Sequence, residues 1–247
     1  MSGINLHRWT AWTPKRETSE AWREWARSAA VNTDASRGME LAPPPIKEIP
    51  PLLRRRAGSL GRAMLHVLSR PEMAYAGEAL IFCSRLGEFS RALALQKELA
   101  RCDTLSPQLF SMSVHNATGG LFMMTQKANA PLTALSAGEE AVLAGLTEAA
   151  IQLADGAGKV WLAYGEEPLP EAWRELAASP DEQTDYFALL LELTPGDEFA
   201  FVSDASTETA LPASPLELLR FFLSPEASNL PLSSRGNLSL QRKVASA

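Results

Sequence analysis

Three short runs, Ala79-Leu-Ile-Phe-Cys83, Lys159-Val-Trp-Leu-Ala-Tyr164 and Tyr186-Phe-Ala-Leu-Leu-Leu-Glu-Leu193, are apolar almost throughout. Runs of this length fit strands of a buried sheet and are far too short to span a bilayer. Around them the spacing turns helical. Apolar residues recur at 52, 53, 60, 64, 65 and 68, which predicts one amphipathic helix over about 52–69. Ser19–Ala30, Ser90–Leu99 with Ser90 as N-cap, and Ser214–Leu223 with Pro215 in its first turn also read as helices. Ser136-Ala-Gly-Glu139 matches a capping box for a helix through Val142, Leu146, Ala149 and Leu153, ending near Gly156.

Three further strands are expected: Ile4–Trp12, whose period-2 pattern is imperfect, Leu132–Leu135, and Gln108–Val114. The last sets Leu109, Ser111 and Ser113 against Phe110, Met112 and Val114, the clearest alternation in the chain. Strands alternating with helices imply an α/β domain. Residues 1–247 show no repeat and no central linker. A proline-rich arm at about 42–51 cannot be regular helix or central strand, and the tail at about 224–247 reads as polar loop.

Composition narrows the function. Two cysteines, Cys83 in a strand and Cys102 in a loop after a helix, form no disulfide scaffold and fit a reducing compartment. The charged first 30 residues show no signal peptide, so a cytoplasmic protein is expected. Residues 1–130 hold 17 Lys and Arg against 11 Asp and Glu, whereas 131–247 hold 6 against 18. That asymmetry suits steering toward a protein partner, and the basic half lacks the dense stripe with interleaved aromatics that binds nucleic acid. Three scattered histidines argue against a metal site. Arg54-Arg55-Arg56 is either a solvated face or a grip on acidic protein, its own acidic half included.

No Gly-x-Ser-x-Gly or His-Glu-x-x-His motif is present, and Gly156-Ala-Gly-Lys159 has Leu153 where a phosphate loop needs glycine. Glu139-Glu140 at a helix start is explained by capping and the helix dipole. The segment that stands out is 106–124, where an alternating strand would meet an apolar helix through Gly119-Gly120, the kind of junction at which α/β enzymes place a nucleophile. It offers His115, Asn116, Ala117 and Thr118, with Ser111 and Ser113 behind them. A buried structural junction is the plain alternative.

Ser-Val-His-Asn-Ala at 113–117 with the following helix resembles the β-ketoacyl-synthase-like proteins of aryl polyene and related pigment clusters. Leu52-Leu-Arg-Arg-Arg56 and Ala137-Gly-Glu-Glu140 are similar to the same group, and the resemblance covers most of 1–225. It implies a thiolase-like α/β fold, a single N-terminal-type half with a mixed sheet flanked by helices. It further implies a truncated, non-catalytic chain-length factor. Such a subunit heterodimerises with a full-length β-ketoacyl-ACP synthase, meets acyl carrier protein only indirectly, shapes the polyene tunnel, and uses no cofactor or metal. The family's elbow cysteine is replaced by Ala117, or by Asn116 if the register shifts by one, and neither can carry a thioester. The resemblance implies that the half supplying catalytic histidines is missing. The resemblance also implies a partner interface of Gln108, Leu109, Phe110, Ser111, Met112, Ser113 and Val114, paired as a strand with its two-fold mate. Phe110, Met112, Leu121, Phe122, Met123 and Met124 are then the tunnel floor, with core packing as the plain alternative for each. A stand-alone acyltransferase or thioester hydrolase using Ser111, Ser113 or His115 is the competing reading.

Overall fold

The computed structural model describes residues 3–28, 42–101, 104–176, 186–203, 211–234 and 237–243. Its elements in chain order are β1 (Ile4–Trp12), α1 (Ser19–Arg27), α2 (Pro51–Arg54), α3 (Ser59–Leu68), β2 (Ala79–Cys83), α4 (Phe89–Ala100), α5 (Pro107–Ser111) and α6 (Ala117–Gln126). They continue with β3 (Leu132–Leu135), α7 (Ala141–Ala154), β4 (Val160–Glu166), β5 (Phe187–Pro195), β6 (Phe199–Ser203), α8 (Pro215–Leu223), β7 (Asn229–Pro231) and β8 (Leu238–Arg242). The strands form one sheet in the order β3-β2-β4-β5-β1-β6-β8-β7. β2 is parallel to β3 and β4, and every other pairing is antiparallel. The sheet is therefore mixed and flanked by helices, as expected.

Alternate residues of the central strands enter two separate cores. Ile81, Cys83, Leu162, Tyr164, Leu189 and Leu191 face α1, α7 and α8. Leu80, Phe82, Trp161, Ala163, Ala188 and Leu190 face α3 and α6. Burial on both sides is why these strands read as unbroken apolar runs.

Glu192 is the exception. It is fully buried in β5, yet Arg8 reaches both of its oxygens (2.5 and 3.3 Å), Trp161 Nε1 donates at 3.1 Å, and Lys159 lies at 3.3 Å. Burial alone would raise its pKa; the bonds from Arg8 and Trp161 outweigh that and hold it below the usual value. The β1–β5 register shifts between Leu6 and Arg8, placing Arg8 opposite Glu192. That bulge explains the imperfect alternation of β1.

Five sequence expectations are corrected. Residues 52–69 are two helices, because the chain turns at Arg55–Gly58 and Gly58 opens α3. In that turn Arg55 and Arg56 are exposed, Arg54 Nη1 donates to the Lys47 carbonyl, and none of the three is paired with an acid among the described residues. Residues 108–114 are not a strand. Ser106 accepts the Leu109 amide and Pro107 occupies the first turn, so helix-start signals win over alternation and α5 forms. The Ser136 capping box does not form, because Gly138 at φ +56° leads a 3-10 turn and Ser136 Oγ donates instead to the Arg85 carbonyl. Helix α4 starts at Phe89 with Glu88 as N-cap, so Ser90 is inside it. The tail contains β7 and β8, where Leu230 and Leu240 are buried. The position of Cys102 lies outside the described residues. Among the described residues no helix is long and apolar enough to cross a membrane.

β6, which carries β8 and β7 beyond it, pairs with β1 through one residue pair, Ile4 with Phe199. Phe199 is fully buried against Phe221 and Phe222, with the Arg242 guanidinium 4.6 Å from its ring. Phe199→Ala is expected to lower stability by about 3–5 kcal/mol. Urea unfolding followed by tryptophan fluorescence measures it; a loss under about 1 kcal/mol would show that this junction does not hold the sheet together.

Candidate functional site

Segment 106–124 is a short helix, a turn and a second helix. Phe110 is 61% exposed, Val114 45% and Met124 54%, so three apolar side chains of this segment face outward. Gln108 and Ser111 are also exposed, while Leu109 and Ser113 are half-buried. Met112, Leu121, Phe122 and Met123 point inward. Phe122 stacks on Trp161 and meets Tyr75, whose hydroxyl lies 3.5 Å from Met123 Sδ. The six residues expected on a tunnel floor thus split into four core side chains and two outward ones.

Ser111 Oγ donates to the Gln108 carbonyl at 3.0 Å, and Ser113 Oγ to the Phe110 carbonyl at 2.8 Å. His115 Nε2 meets the Ser84 carbonyl at 3.1 Å, and burial lowers its pKa, so the neutral ring donates from Nε2. Each serine hydroxyl is bonded to a backbone carbonyl and the histidine to another. No nucleophile–base pair is assembled here.

The platform under this turn is the loop after β2. Gly87, at φ +63°, comes close to the imidazole, and a Cβ there would fall 2.7 Å from His115 Nδ1. Only glycine suits that conformation and that approach. The Ser84 hydroxyl, the Arg85 amide and the Tyr164 hydroxyl all donate to Glu166, and Glu167 accepts the Ser90 amide at 2.7 Å. Sequence reading missed this loop. Its signal was Ser-Arg-Leu-Gly-Glu directly after a buried strand.

The strand–turn–helix junction sought at Ala117 lies elsewhere. Ala117 follows α5 and two turns, and exposed Asn116 caps α6 with no side-chain bond. The sheet strand that turns sharply into a long buried helix is β3, through Ser136-Ala-Gly-Glu-Glu140 into α7. Glu139 is 3.9 Å from Arg85, and Glu140 accepts from Ser233 and Ser234. This junction carries no thiol either. Cys83 ends the neighbouring strand, fully buried, and burial pushes its pKa up to about 12, so its thiolate is not accessible. β3 is also an edge of the sheet.

A mixed sheet clad by α3 and α6 on one side and α1, α7 and α8 on the other is the thiolase-like ketosynthase fold, in a single N-terminal-type half. The chain belongs to the family of β-ketoacyl synthase N-terminal domains, whose model matches residues 22–229. It is similar to a chain in the structure of a ketosynthase (ApeO) in complex with its chain length factor (ApeC) from Xenorhabdus doucetiae. Identity there is 25% and the TM-score 0.82, over 98% of this chain and 100% of that one. The ishigamide ketosynthase/chain length factor shares the fold at 16% identity and TM-score 0.60, over 82% of this chain and 68% of that one. A β-ketoacyl synthase from Burkholderia phymatum STM815 does so at 13% and 0.58, over 90% and 70%. No curated protein matches the sequence.

Gly87→Ala is expected to destabilise the fold by about 1–3 kcal/mol, through strain at positive φ and the clash with the ring. In a His115→Ala background the same substitution should cost about 1 kcal/mol less. A double-mutant cycle by urea unfolding reads the difference, and strict additivity would show that the ring and the glycine do not press on one another.

Proposed function

We propose that this chain is a non-catalytic chain-length factor that pairs with a β-ketoacyl-ACP synthase in the cytoplasm and helps shape its acyl tunnel during aryl polyene assembly. The observation that carries the reading is the end-to-end match to a chain of the Xenorhabdus ketosynthase/chain length factor complex. The thiol-free junction between β3 and α7 supports the non-catalytic part, because acyl transfer through a thioester needs a thiolate.

The expected pairing strand at 108–114 is helical, so the pairing element is reassigned. β3 is an edge strand that carries no proline and no charge to blunt it, whereas the opposite edge, β7, is three residues long and contains Pro231. α6 packs on β3, with Gly119 against Leu132. In this reading Leu132–Leu135 meets the partner's strand and Phe110, Val114 and Met124 flank it. Carrier protein contacts the partner. The hydrolase reading has no support from the bonds that Ser111, Ser113 and His115 make.

Co-expression with the ketosynthase of its own gene cluster should yield a one-to-one complex. Combining Phe110→Asp with Val114→Asp should weaken that complex at least about tenfold, with the chain's own melting temperature held, since burying unpaired carboxylates opposes docking. Met124→Trp should shorten the product without lowering complex yield. A chain that stays monomeric beside its ketosynthase overturns the proposal, and unchanged product length removes Met124 from the tunnel.

A further inference from the structure

Glu88 stands where three helices begin. It is the N-cap residue of α4, and its Oε1 accepts the Gly61 amide at the head of α3 (3.0 Å) and the Thr118 hydroxyl in the first turn of α6 (3.4 Å). Its Oε2 is buried without a hydrogen bond, 3.4 Å from Arg91 Nε. The residue is 5% exposed. Glycines make room for it: a Cβ on Gly58 would lie 2.1 Å from Oε2, and one on Gly61 3.0 Å from Oε1.

We propose that Glu88 is the positioning residue of the segment proposed to face the partner, fastening the head of α6, and with it the Val114–His115 turn, to α3 and α4. This rests on the proposed function only in calling that segment partner-facing. The fastening itself belongs to the isolated chain.

The titratable and charged groups facing Glu88 are Arg91 from its own helix, Glu167 after β4 and Tyr186 before β5; α3 and α6 present the uncharged Gly61 amide and Thr118 hydroxyl. Burial above all, with Glu167 adding to it, pushes the carboxyl up to about 7 against Arg91 and the two hydrogen bonds. A carboxyl whose folded pKa exceeds its value in water, 4.5, is lost to solvent more readily as pH rises. The fastening is therefore tightest at and below about pH 4.5, loosens between about pH 4.5 and 7, and is level above that.

Hydrogen–deuterium exchange of the full chain between pH 5 and 8, corrected for intrinsic rates, tests this. Protection of residues 113–120 should fall on the order of 100-fold in the wild type, while α7 stays unchanged. Glu88→Gln, which mimics the neutral carboxyl, should match the wild type at pH 5 and stay protected at pH 8. Thr118→Val should loosen the segment throughout. A flat wild-type profile, or Glu88→Gln as exposed as Glu88→Ala, overturns the proposal. Affinity for the partner ketosynthase should follow the same pH step in the wild type and not in Glu88→Gln. Binding without that step, beside a step in exchange, overturns the positioning role. Absence of any binding overturns the function proposed above and leaves the fastening in place.

Discussion

Burial of both faces of the sheet is the constraint on which the rest of this structure depends. Each fully buried Leu or Phe contributes about 1.5–3 kcal/mol, and β2, β4 and β5 send such side chains to both sides. Neither face is stable without its helices, so α3 and α6 on one side and α1, α7 and α8 on the other follow from the strands. A buried ion is tolerated at Glu192 because two side chains hydrogen-bond it and cations surround it. Removing Arg8 would leave the buried carboxylate to Trp161 and Lys159, a poorer set of partners for a desolvated charge.

The same constraint explains what was legible in the sequence. β2, β4 and β5 were readable because double burial writes an apolar run that local signals do not contest, whereas β1 and β3, which are only partly buried, showed as a broken period of two and a short run. Residues 108–114 have a cleaner alternation than β1, yet Ser106 and Pro107 start a helix there and no strand lies beside them to pair. β8, Leu-Ser-Leu-Gln-Arg, was missed because it is short and mixes polar residues, and β6 because its short apolar stretch follows β5 closely; what they bury, Phe199 and Leu240, shows only once α8 is in place. The site was less legible: the family was readable, but the elbow expected at Ala117 follows a helix rather than a strand, and the loop beneath His115 is a tertiary contact, since Gly87 leaves no mark in local spacing.

The chemistry available near the β3–α7 junction is that of carboxylates and hydroxyls already committed to other bonds. Glu166 gathers the Ser84, Arg85 and Tyr164 donors, Glu167 the head of α4, and Glu140 the Ser233–Ser234 turn. These groups organise helix ends and loops, as anionic side chains near helix N-termini do. Cys83, a protonated thiol inside the core, adds no nucleophile. The polar groups therefore fix the shape of these loops and helix ends.

The two sheet edges carry the argument furthest. An edge strand exposes unpaired amides and carbonyls, and proteins blunt such edges with proline, charge or brevity. β7 uses brevity and Pro231, whereas β3, Leu-Thr-Ala-Leu, uses brevity alone and lies beside the helix that carries exposed Met124. Exposed apolar side chains next to an edge blunted by brevity alone are what antiparallel pairing with a second chain would bury. The helix bordering that edge begins at Ala117, and Thr118 in its first turn is bonded to Glu88. In the proposed assembly, then, the carboxyl that gathers three helix ends also sets the angle at which those apolar side chains meet the partner, and the site's geometry passes into the interface through a single buried side chain.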